Sequence, residues 1–82
     1  MMNTNTALVA RSNAIAAARA AARAAQATLG QPLPQCHRAW TRAADVYRAV
    51  LQLPGLGQAW TADLTREAEH AEFMAKALAP RA

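Results

Sequence analysis

The 82-residue chain reads as an all-α protein, a small antiparallel bundle of three helices with a long alanine-rich first helix, in a single domain spanning residues 1–82. Three observations predict this. Apolar residues recur at helical spacing in three stretches, Gly and Pro punctuate the chain between those stretches, and both connections are short, which makes consecutive helices antiparallel neighbours.

The first helix is expected over about residues 6–29. Asn5 or Thr6 can cap it, Gly30 supplies a C-terminal stop, and Pro32 and Pro34 bar its continuation. Ala7, Ala10, Ala14, Ala17, Ala21, Ala24 and Thr28 recur at alternating steps of three and four, a seam of small side chains against which another helix can come close. At about 100° per residue, Leu8, Ile15, Ala18, Ala22, Ala25 and Leu29 fall beside the seam, and Ser12, Asn13, Arg19, Arg23 and Gln26 fall opposite. Arg11 lies inside the apolar stripe, near enough to the helix start to reach solvent past the end of its neighbour.

The second helix, about residues 35–53, spreads Cys36, Ala39, Trp40, Ala43, Val46, Tyr47, Val50, Leu51 and Leu53 over half its circumference. His37, Arg38, Thr41, Arg42, Asp45, Arg48 and Gln52 make the polar half. So broad an apolar face suits a middle helix touching two neighbours. Pro54, Gly55 and Gly57 then break the chain, with Leu56 between them as a plug on the bundle end. The third helix, about residues 59–79, presents Trp60, Leu64, Ala68, Ala71, Met74, Ala75 and Leu78 to the core, and its acidic start and Lys76 near its end suit the helix dipole. Trp40, Tyr47, Val50, Leu51, Leu64 and Leu78 form the expected common core. Ala39-Trp40-Thr41 recurs as Ala59-Trp60-Thr61, but the flanking residues do not follow, so no internal repeat is read.

Twenty-four residues are alanine. Each buries little area, and a chain this short hides only around 60% of its unfolded surface, so added stability is expected from self-association or a bound partner. A homodimer meeting through Ala17 and Ala21 is the simplest form of that help. Charge is polarised as well: residues 1–44 hold five arginines and no acid, residues 45–82 four basic and five acidic groups, and the whole chain is basic with a net charge of +4. A basic half of this kind can meet phosphates, an acidic protein face or anionic lipid. The single Cys36 excludes an internal disulfide and points to a reducing, cytoplasmic setting. No apolar run approaches the roughly 20 residues of a membrane span, and the first residues lack the basic start and apolar core of a secretory signal.

Catalysis is poorly provided for. There is no Gly-rich phosphate loop and no Ser flanked by glycines, and adjacent Cys36 and His37 diverge around a helix, so no catalytic, cofactor-binding or metal-binding residue and no small-molecule substrate is assigned. Glu67 and His70 have the Glu-x-x-His spacing of carboxylate metal sites, yet the first helix contributes no carboxylate and the second only Asp45, so the remaining ligands are missing. A DNA-reading helix-turn-helix is disfavoured because the third helix is acidic. If nucleic acid is bound, Arg19, Arg23, Arg38, Arg42 and Arg48 are the residues to grip phosphate backbone.

Phe73 projects away from the core stripe of the third helix, flanked by Arg66, Glu69, His70 and Ala77. It has the character of an interface anchor, with Arg66 and His70 beside it. The sequence therefore favours a non-enzymatic helical module that binds another protein. In general profile it resembles the accessory and inhibitor proteins of bacterial phages and plasmids, which implies action by binding a macromolecular complex. Binding of phosphate backbone through the arginines of the first two helices is the alternative.

Overall fold

The computed structural model describes residues 4–80, with side chains from residue 6 onward. Three helices account for the regular structure: α1 Thr4–Ala27, α2 Leu33–Leu51 and α3 Gln58–Ala77. Each ends about two residues earlier than the sequence suggested, for local reasons. The Thr28 hydroxyl donates to Ala25 O at 2.6 Å and Gly30 takes φ +100°, so the chain leaves α1 at Ala27. Pro32 caps α2 and Pro34 lies in its first turn, where a missing N–H breaks no helical bond; the prolines thus found α2 as much as they stop α1. Cys36, buried in that first turn, directs its S–H to Thr28 O at 3.0 Å and so ties the end of α1 to the start of α2. Gly57 holds φ +80° at the capping position of α3, a conformation other residues rarely adopt.

Helix α2 lies in the middle. Trp40, Tyr47, Val50 and Leu64 are buried together with Ala18, Ala25, Ala43, Ala44, Ala68, Ala71 and Ala75, and Leu56 closes one end. Leu51 and Leu78 pack against this cluster only half-buried. His37 and Thr41, assigned to the polar half of α2, are also half-buried. His37 places Nδ1 2.8 Å from Ala75 O, to which it must donate because a carbonyl only accepts. Arg11, early in α1, directs Nη1 to Pro54 O at 3.4 Å, just beyond α2. The start of α2 therefore lies by the ends of both other helices, and its far end lies by the start of α1.

Two expectations are corrected by the packing. The buried line of α1 runs through Ala14, Ala18, Ala21 and Ala25, so Ala10, Ala17 and Ala24 of the expected seam face solvent; the helix is rolled by one residue. Trp60 is not a core residue either, being 45% exposed near the start of α3. The reason is its position: α2 has already ended beside it, and over its ring α1 places an arginine.

Both outer helices pack along α2, while the backbones of α1 and α3 approach each other only locally. The molecule is consequently a rod, 50 × 19 × 18 Å, whose face between α1 and α3 is floored by α2 and bridged by side chains.

Candidate interaction groove

One residue from each helix meets across that face. Glu67 of α3 accepts from Arg19 of α1 at 3.0 Å (Nε to Oε1) and 2.8 Å (Nη2 to Oε2), and from the Tyr47 hydroxyl of α2 at 2.9 Å. The bidentate guanidinium–carboxylate geometry fixes orientation as well as adding attraction. Glu67 is held below the usual carboxylate range, first by the Arg19 hydrogen bonds and further by Tyr47. Burial, reinforced by donation to Glu67, pushes the Tyr47 phenol up to about 12. The Arg19 guanidinium also lies 5.3 Å from the centroid of the Trp60 ring, a cation–π contact that explains the exposed tryptophan.

A titration follows from this arrangement. A phenol whose folded pKa is raised contributes stability that is complete below its unfolded value near 10 and is lost as pH rises toward about 12. Tyr47 is the only tyrosine, so ultraviolet absorbance should show phenolate formation two units late, with stability declining across the same window. Tyr47→Phe should remove that decline, and a phenol titrating near 10 in the folded protein would refute the packing drawn for Glu67.

Two cavities border this Arg19–Glu67–Tyr47 latch, with Arg23 on the rim of both. The larger, about 640 Å³, has Leu8, Ile15, Leu56 and Trp60 as its apolar walls and Arg11, Arg19 and Arg23 as its charges; no carboxylate lines it. The smaller, about 440 Å³, runs over Ala22, Trp40 and Tyr47 and mixes Arg23 and Arg66 with Asp63 and Glu67.

Several residues singled out in the sequence fall elsewhere. Phe73 is 68% exposed on α3 and lines neither cavity. Arg66 pairs with Asp63 one turn earlier, and His70 stands edge-on to the Trp40 ring, 5.6 Å between centroids, so both face the smaller cavity. Ala17 is exposed and Ala21 half-buried against the core. Of the five arginines considered for phosphate, Arg19 is engaged by Glu67 and Arg48 by Glu72 at 2.6 Å; Arg23, Arg38 and Arg42 are exposed and have no bonded partner among the described residues. Cys36 and His37 serve separate carbonyls. Glu67 and His70 likewise face different partners, and among the described residues no three metal-ligating side chains gather.

The sequence alone does not announce the latch. Its signal is Glu67, which stands on the buried side of α3 between Leu64 and Ala71, where a carboxylate requires a cation. No helix among the described residues is long and apolar enough to cross a membrane. Compared with known proteins, the chain matches no family model, no curated protein and no solved structure.

Proposed function

We propose that the protein is a non-enzymatic interaction module of a reducing, cytoplasmic setting, acting by occupying the surface of another protein as a small accessory or inhibitor protein would. The larger cavity beside the Arg19–Glu67 bridge carries this reading. A domain of this size that leaves Leu8 half exposed and Trp60 uncovered beside a cavity of about 640 Å³ has apolar surface available for a partner. Phe73, with Arg66 and His70 on the same helix, offers a second contact. Phosphate binding ranks below this reading because Arg19 and Arg48 are already neutralised within the chain.

Photocrosslinking from single positions tests it. A crosslinking residue at Ala16, on the wall of the larger cavity, should give discrete protein adducts in the source cell, as should one at Phe73. Adducts confined to nucleic acid, or arising only from Arg42 among the unpaired arginines of α2, would overturn the assignment.

A further inference from the structure

We propose that the larger cavity receives an acidic amphipathic helix of a partner protein, seated against α1 and the start of α3 beside the Arg19–Glu67 bridge. The proposal rests on the interaction-module reading and names the partner's chemistry. Geometry supplies the first argument. The Arg19–Glu67–Tyr47 contacts cross the face over α2, so the space open to a helix is the larger cavity, walled by α1, Gly55, Leu56 and Trp60. Along α1 the larger cavity runs from Leu8 to Arg23, about 22 Å at the helical rise, which is the length of a helix of about 15 residues.

Surface chemistry supplies the second. Leu8 and Trp60 expose about half their surface at the larger cavity, with Ile15 and Leu56 behind them, so the occupant must bring an apolar stripe. Among the three arginines there, Arg19 is balanced by Glu67. Among the described residues Arg11 has only a neutral backbone carbonyl for a partner, and Arg23 forms no bond. Two uncompensated guanidinium groups about 18 Å apart along α1 therefore await carboxylates roughly three turns apart on the incoming helix.

A second copy of this chain does not fit the same description. Helix α1 has no acid, Asp45 is the only one on α2, and the carboxylates Asp63, Glu67 and Glu72 of α3 are already engaged by Arg66, Arg19 and Arg48. That leaves Glu69 as the one uncommitted acid on α3, too few to match both arginines.

Two synthetic helical peptides of about 15 residues share a Leu/Ala stripe and carry either Glu or Lys on the polar face. Titrated into the full chain, the Glu peptide should shift the Trp60 emission, bind at least about tenfold more tightly than the Lys peptide, and weaken as salt is raised. Arg11→Gln with Arg23→Gln should lower its affinity by about tenfold with helix content unchanged, whereas Arg42→Gln should have no effect. Equal binding of both peptides, indifference to the double substitution, or no binding at millimolar peptide would overturn the proposal. So would a homodimer that the Glu peptide cannot dissociate, or displacement of the Glu peptide by single-stranded DNA that an uncharged analogue does not reproduce. If the peptide fails while crosslinks from position 16 still capture protein, the acidic helix is wrong and the interaction module stands; if those crosslinks fail too, the module reading falls with it.

Discussion

Trp40→Ala is expected to cost roughly 3 to 5 kcal/mol, comparable with the entire stability of a domain this small. The side chain is only 2% exposed and stands where α2 meets both neighbours, beside Tyr47 and against the His70 ring. Its deletion opens a cavity in a core whose buried residues are mostly alanines, which have no side-chain length with which to collapse into it. Trp40→Phe should be far milder, because the Nε1 hydrogen has no acceptor among the described residues and removing it forfeits no bond. Urea unfolding of the two variants measures both effects. An unchanged midpoint for the alanine variant would remove α2 from the centre of the fold.

The second large effect comes from adding bulk rather than removing it. Ala18 is fully buried on the line where α1 meets α2, so Ala18→Leu must push the helices apart or adopt a strained rotamer, at roughly 1 to 3 kcal/mol. Ala17→Leu, one position away but facing solvent, should change stability by no more than about 0.5 kcal/mol. Melting curves for the pair locate the rolled helix directly, and equal destabilisation would restore the seam through Ala17 as the packed face. Light scattering on the Ala17 variant asks a separate question, since we propose that any homodimer forms through this exposed alanine face; a leucine there should then alter the association without altering the monomer.

The contrast between Ala17 and Ala18 shows why some features were legible in the sequence and others were not. Periodicity placed three helices and their breaks because Trp40, Tyr47, Val50 and Leu64 differ sharply from the charged residues around them. Along α1 almost every candidate is alanine, equally small on adjacent faces, so the pattern fixes a helix but not its rotation. Trp60 was misplaced for another reason. Its spacing with Leu64 matches a core stripe, yet spacing along one helix does not reveal that the neighbouring helix has ended. The exposure of Phe73 and the burial of Cys36 depend on the periodicity of their own helices, and both could be read in advance. The latch joins residues far apart in sequence, and its partner could be inferred only once the buried side of α3 was known to hold a carboxylate.

The connectivity of the bundle also orders its motions. Helix α2 pairs with the helix before it and the helix after it, so most of the tertiary structure closes over short loops, and such low contact order belongs to fast-folding helical chains. The Arg19–Glu67 pair instead spans 48 residues and ties together the two helices whose backbones scarcely meet. Two hairpins can thus form around α2 before the outer helices are joined, and the same joint is the one that local opening releases first. The side chains that join α1 to α3, the partly solvated Arg19–Glu67 pair and the Arg19–Trp60 contact, can therefore part while the hydrophobic core beneath them stays intact.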